Sequence, residues 1–275
     1  MADKYDITVF DINGKPCAYP CKQIVGNLMN LDEIRNALKG SDLALTFFVG
    51  NMELSTIGMT NIMTAATQCG VSHLAYISSG GLPMPLGARG GKNGYAVSDY
   101  DADFWQEFFP IKESVGIFPG NEIGGGYFFN KWVCESIGRL FAERGSIKFT
   151  ALRPGLLMLD DMDCFTVGER KRNYDPFFML MTGHIRTIDL AHIIDLIFQN
   201  PPATHIAYHG SNDTPYNNLC IDKAKKELGY VCVDQKPYLD FYTSDKMDWE
   251  SAAIKLIEQG FPETVIRSLY AFRRR

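Results

Sequence analysis

In the stretch GGGYFFNKWVCESIGRL, residues 124–140, Tyr127 precedes Lys131 by four positions. On a helix that spacing puts both side chains on one face, a turn apart. A phenol exchanges a proton with a substrate hydroxyl only when its pKa, near 10 when free, is brought toward neutrality. A lysine one turn away favours the phenolate by the nearness of its positive charge. The chain offers a second copy of the same spacing, Tyr242 and Lys246 in YTSDK. Spacing alone does not separate a catalytic pair from two residues that share a helix face, so the surrounding elements must decide.

Those elements alternate. YDITVFD and KQIVGN read as strands. NLDEIRNALKG reads as a helix with Asn30 as N-cap, Glu33 three residues on and Gly40 as its stop. DLALTFFV is a buried strand, and MELSTIGMTNIMTAATQCG a helix ending at Gly70. SHLAYISS is a strand, residues 127–144 a helix and IKFTALRP a strand. Strands alternating with helices imply parallel βαβ units, hence an α/β sheet covered on both faces. The stretch from Gly80 to Gly126 breaks this rhythm as a long irregular insert rich in Gly, Pro and aromatic residues. Beyond it TIDLAHIIDLIFQN is a helix, THIAYHG a strand, CIDKAKKELGY a helix, and DWESAAIKLIEQGFPETVIRSLYAF two more. The expected division is a Rossmann-like core over 1–155, incomplete at its start. Residues 156–275 then hold the remaining core elements and a smaller helical, substrate-side region.

The bulk properties exclude several classes. The 275 residues are 46% hydrophobic and 21% charged, with a net charge of −5, as expected of a soluble globular chain. The acidic balance, with RRR at the end as the one basic cluster, argues against nucleic-acid binding. No apolar run reaches the roughly 18 residues of a membrane span, and MADKYDITVF lacks a signal-peptide pattern. Seven scattered cysteines point to free thiols and a cytoplasmic setting rather than to disulfides or a metal site.

The order of segments resembles the extended short-chain dehydrogenase/reductase family, which includes nucleotide-sugar epimerases and dehydratases. VFD ending at Asp11 is similar to the family's second strand, whose terminal acid holds the adenosine ribose. IVGNLMNLDEIRNALKGSDLALTF resembles its GDL strand, helix and following strand, with Asn27 where Asp is usual. GVSHLAYISSGG resembles the strand carrying the active-site serine, YFFNK falls where Tyr-x-x-x-Lys belongs, and FTALRPG matches the strand and proline beside the nicotinamide. IDKAKKELGY resembles a late signature of the extended branch. Tyr127–Lys131 follows a serine-bearing strand and precedes RPG; Tyr242–Lys246 has neither neighbour. The resemblance therefore implies Tyr127 as general acid/base, Lys131 as its activator and ribose anchor, and Ser79 as substrate hydrogen-bond donor, with Ser78 the alternative. It further implies NAD as cofactor, contacted by Asp11, Asn27, Lys131 and Pro154. In GHIRTIDLAHIID, Arg186 is placed to bind an anionic substrate group, or to serve as a surface or salt-bridged arginine.

One family feature is missing. The family opens with a strand and a Gly-x-x-Gly-x-x-Gly turn that cradles the pyrophosphate on a helix N-terminus, and nothing before Asp11 is glycine-rich. Gly80-Gly81, Gly90-Gly91 and Gly124 to Gly126 read as loop glycines. Three explanations stand: a chain lacking its true beginning, YDITVF shifted into the central position, or a partner chain supplying the absent piece. Phe47 and Phe48 read as core aromatics. Asp160, Asp161 and Asp163 read as a solvated acidic loop, and the five histidines show no metal-ligand spacing. Ala252, Ala253, Leu256 and Ile257 share a face suited to packing or to a homodimer contact. The expected activity is that of an NAD(P)-dependent oxidoreductase or epimerase acting on a hydroxyl or keto group of a small-molecule substrate, of the sugar-nucleotide or sugar-acid class. A catalytically inactive or non-redox binding module on the same scaffold is the alternative.

Overall fold

The computed structural model describes residues 3–17, 19–48, 50–83, 102–117, 126–159, 166–167, 170–171, 183–215, 217–243, 249–258 and 260–271. Strand β4 (His73–Ile77) is buried at every position and forms the inside of a parallel sheet. It pairs with β3 (Leu43–Thr46) on one edge and β5 (Lys148–Pro154) on the other. Beyond β5 lies β10 (His205–Gly210), so the order is β10-β5-β4-β3. Side chains alternate between the faces. Leu74 and Tyr76 join Phe149 and Ala151 against α2 (Met59–Cys69) and α4 (Tyr127–Glu143). Ala75, Ile77 and Leu152 pack against α5 (Thr187–Gln199) and α6 (Asp222–Leu228) through Ile193, Ile197, Ala224 and Leu228. Apolar residues on both sides of each strand are what a doubly covered parallel sheet requires.

Two more strands, β1 (Thr8–Asp11) and β2 (Lys22–Val25), form a separate parallel pair. Helix α1 (Leu31–Leu38) starts where expected, with the Asn30 side chain accepting from the amides of Asp32 and Glu33. It ties this pair to the larger sheet by lying on α2: Arg35 Nε donates to Gln68 Oε1 at 2.9 Å, and Asn61 Nδ2 to the Leu28 carbonyl at 3.0 Å. Among the described residues β1 pairs only with β2, and β3 only with β4. Of the three explanations, the one that shifts YDITVF into the central position is not met, because its ladder goes to Lys22–Val25 and not to the larger sheet.

The supposedly irregular insert contains α3 (Ala102–Phe108), which the sequence did not signal. Its Trp105 and Phe108 pack with Ala253, Leu256, Phe261 and Ile266 of α8 (Trp249–Glu258) and α9 (Glu263–Ala271) and the turn between them. The small-residue face of α8 is thus used for packing inside the chain. Between α6 and α8 lies α7 (Lys236–Tyr242), also unread in the sequence. Two short ladders complete the described elements: β6 (Leu156–Met158) with β9 (His184–Arg186), parallel, and β7 (Thr166–Val167) with β8 (Arg170–Lys171), antiparallel. No helix among the described residues is long and apolar enough to cross a membrane.

Candidate functional site

The end of β4 delivers Ser78 and Ser79, and the first turn of α4 delivers Tyr127 and Lys131. The Ser78 amide donates to the Leu152 carbonyl at 2.7 Å and the Gly80 amide to the Pro154 carbonyl at 2.8 Å, so the serine turn is an extension of the β4–β5 ladder. Gly80 is required there: a Cβ would lie 2.8 Å from the Pro154 oxygen and 2.7 Å from a Leu219 methyl. Ser79 Oγ accepts from the Gly81 amide at 3.1 Å, and its hydroxyl is near enough to Tyr127 to act on the phenol's pKa. Ser78 is 3% exposed, and its hydroxyl has no partner. Of the two serines, the geometry joins Ser79 to the tyrosine.

Tyr127 is 46% exposed, so its ring is open to a ligand from outside. Lys131 is buried, with Nζ 2.7 Å from the Ile77 carbonyl and 3.3 Å from that of Phe48, and it sits 4.8 Å from the Tyr76 ring centroid and 5.7 Å from that of Tyr127. Burial pulls its pKa down to about 8, partly opposed by Cys134 and Glu135. Burial likewise pushes the Tyr127 phenol above its ordinary value, with the Ser79 hydroxyl working the other way. The Lys131 ammonium is thus directed at backbone carbonyls on the floor of the site.

Asn130, beside the lysine, went unread in the sequence. Its Nδ2 donates to the Gly50 carbonyl at 2.8 Å while its buried Oδ1 has no partner. A polar residue on the inward face of α4, next to Lys131, was the available signal. Arg153 on β5 is also buried, with Nε 3.0 Å and Nη2 2.8 Å from the Glu135 carboxylate and Nη1 donating to the carbonyls of Glu113 and Val115. This pair locks α4 to β5 directly behind the site.

Of the remaining expected residues, Pro154 adjoins the serine turn through its carbonyl, and the others are held by partners of their own. Asp11 is exposed, and its carboxylate accepts from the Asn13 amide at 2.6 Å. Asn27 is engaged in the turn into α1, its Oδ1 accepting from Met29 and its amide donating to Glu33. Pro154 ends β5. Arg186 is buried, with Nη1 3.2 Å from the Asp234 carbonyl and its guanidinium 5.9 Å from the Tyr238 ring. Tyr242 is buried in another network, its hydroxyl 2.5 Å from His184 Nδ1. Phe48 packs at 6.1 Å from Tyr76, whereas Phe47 is largely exposed. Lys246, the acidic residues 160, 161 and 163, Cys164, and the glycines at 90, 91, 124 and 125 lie outside the described residues.

Ser79, Tyr127 and Lys131 fit the nicotinamide-ribose end of a dinucleotide, offering hydroxyl, phenol and ammonium at one place. The pyrophosphate end does not fit. Among the described residues no glycine turn leads from a central strand into a helix.

No protein-family model and no curated protein sequence matches the chain. Solved structures do. A short-chain dehydrogenase/reductase superfamily protein from Agrobacterium tumefaciens with bound NAD matches with TM-score 0.61 at 15% identity, covering 100% of this chain and 94% of that one. Uronate dehydrogenase from the same organism matches with TM-score 0.60 at 17% identity, over 85% of this chain and 77% of that one. UDP-N-acetylglucosamine 4-epimerase from Bacillus cereus matches with TM-score 0.58 at 14% identity, over 86% and 88%. At these identities the likeness is one of architecture. With its α-covered parallel sheet and the turn of β4 meeting the start of α4, the chain has a Rossmann-like α/β fold shared with these structures.

Proposed function

We propose that the chain is an NAD(P)-dependent oxidoreductase or epimerase of the extended short-chain dehydrogenase type, acting on a hydroxyl or keto group of a sugar nucleotide or sugar acid. The observation that carries this reading is the convergence of Ser79, Tyr127 and Lys131 from two elements onto one half-open site. Support for the substrate class comes from the uronate dehydrogenase and sugar-nucleotide epimerase that share the fold. NAD supplies hydride transfer in this reading. Tyr127 exchanges a proton with the substrate oxygen, and Ser79 hydrogen-bonds the same oxygen and the phenol. Lys131 holds positive charge beneath the ring, which favours the phenolate once a ligand displaces water.

The open sheet favours a second reading, a non-redox binding module, because no phosphate cradle is offered among the described residues. Turnover of uronic acids and UDP-sugars at millimolar NAD separates the two. The first reading expects Tyr127→Phe to lower kcat/KM by about 10²–10⁴-fold with folding retained. Equal rates in wild type and variant overturn the role of Tyr127. Absence of both binding and turnover at millimolar cofactor overturns the first reading for this chain.

A further inference from the structure

We propose that Leu219 is a positioning residue for the pair Ser79 and Tyr127, holding the serine turn in place from the aromatic unit of α3, α8 and α9. The two halves of the site come from separate elements, the turn after β4 and the first turn of α4. One apolar cluster reaches both. On the serine side a Leu219 methyl packs on Gly80, lying 2.7 Å from where a Cβ at that glycine would stand. On the tyrosine side Phe128, the residue after Tyr127, packs against the cluster to which Leu219 belongs, together with Trp105, Phe108, Phe261 and Ile266.

Leu219 can transmit position because its backbone is held on both sides. Its amide donates to Asn217 Oδ1 at 3.1 Å, and its carbonyl accepts from Asn217 Nδ2 at 2.7 Å. Its neighbours are laced to Ile111: the Ile111 amide donates to the Asn218 carbonyl at 2.8 Å, and the Cys220 amide to the Ile111 carbonyl at 2.7 Å. Ile111 belongs to the same cluster. The chain just beyond it is bound to β5, where Arg153 Nη1 donates to the carbonyls of Glu113 and Val115. Gly80 is therefore pinched between two fixed walls, the Pro154 carbonyl that accepts its amide at 2.8 Å and the Leu219 methyl. A close-packed interior passes on a displacement instead of absorbing it. Removing the Leu219 methyls opens space on one side only, and Ser79, one residue before Gly80, shifts with the turn. That Ser79 and Tyr127 work as a pair rests on the function proposed above; the packing around Leu219 does not.

The test reads the Tyr127 phenol itself, by NMR titration of the whole chain labelled in its tyrosine rings, with Tyr127→Phe identifying the resonance. The Ser79 hydroxyl acts to lower this phenol's pKa, so Ser79→Ala should raise it by about half a unit to one unit. Leu219→Ala should raise it by a like amount and add nothing in the Ser79→Ala background. Leu219→Met, which keeps the volume, should restore the wild-type value. Ile193→Ala takes a buried side chain from the opposite face of the sheet, and should lower the thermal midpoint without moving the phenol. Should Leu219→Ala not fold, Leu219→Val, whose methyls stop one carbon short, replaces it with the same expected direction. The proposal is overturned if Ser79→Ala raises the pKa and the Leu219 variants do not. It is equally overturned if the Leu219 shift persists undiminished without the Ser79 hydroxyl, since the leucine would then act on the ring by another route. A phenol unmoved by Ser79→Ala overturns the Ser79–Tyr127 pairing of the proposed function itself, and leaves Leu219 no pair to position.

Discussion

The ammonium of Lys131 lies 2.7 Å from the carbonyl oxygen of Ile77, so the first turn of α4 is fastened to the last residue of β4. That contact brings the lysine beneath Tyr127 and also buries its charge. The cost appears as a pKa lowered to about 8 from 10.5. Between pH 8 and 10.5 the unfolded chain holds a proton that the folded chain has lost, so this group makes stability rise with pH across that window. The rise is on the order of 3 kcal/mol. Lys131→Met should abolish this rise, measured as the difference in urea unfolding free energy between pH 7.5 and pH 10, while lowering kcat/KM as Tyr127→Phe does. A variant that keeps the wild-type slope would show that another group titrates there.

The two serines make opposite predictions. Ser79→Ala removes the hydroxyl that reaches Tyr127 and should lower kcat/KM by about 10- to 1000-fold with little change in thermal midpoint. Ser78→Ala removes a buried hydroxyl that has no partner. It should be neutral or stabilising by about 1 kcal/mol and leave turnover near wild type. Kinetics and thermal melts of the two variants side by side decide the assignment, and loss of turnover in Ser78→Ala alone would reverse it.

The places of Tyr127 and Lys131 on a helix and of Ser79 just past a strand were legible because both elements are regular. Helix α4 carries its own spacing, and the serine follows a strand that is buried at every position. The pairing of the strands was less legible. Thr8–Asp11 has the composition of an inner strand, and only the ladder to Lys22–Val25 shows that it stands apart from β3. Helices α3 and α7 escaped notice because ADFWQEF and KPYLDFY bury aromatic residues against distant α8, α9 and β9. Tertiary packing decides such short segments, not local periodicity. Arg186 shows the same limit: nothing local distinguishes a substrate-binding arginine from one held by the Asp234 carbonyl.

Behind the site, Glu135 is the sole carboxylate within ion-pair distance of the Arg153 guanidinium among the described residues. Glu135→Ala would leave a buried cation held by two carbonyls, those of Glu113 and Val115, and should destabilise by about 3–5 kcal/mol. Because the pair fixes α4 against β5, the same variant should also loosen the Tyr127–Ser79 contact. Chemical denaturation gives the first effect. A fall in kcat larger than the fraction unfolded gives the second. A loss below about 1 kcal/mol would mean that water reaches the guanidinium.

The acid limit of stability should depend on His184. Its ring is fully buried, with Nδ1 2.5 Å from the Tyr242 hydroxyl and Nε2 without a partner, and burial lowers its pKa to about 4. Between pH 6.5 and pH 4 the unfolded chain takes up a proton that the folded chain refuses. Stability that is fully present above pH 6.5 is therefore lost as the pH falls toward 4, by about 1.4 kcal/mol per pH unit for this one group. His73, lowered to about 4 beside Thr150, and His209, lowered to about 3, act in the same direction. Replacing His184 by asparagine should flatten the limb by about one proton at pH 5, read from the slope of unfolding free energy against pH. That slope is independent of whatever stability the substitution itself removes. An unchanged slope would place the proton uptake on the other two histidines, and with it the weak point of the fold in acid at β4 and β10, away from the Tyr242 network.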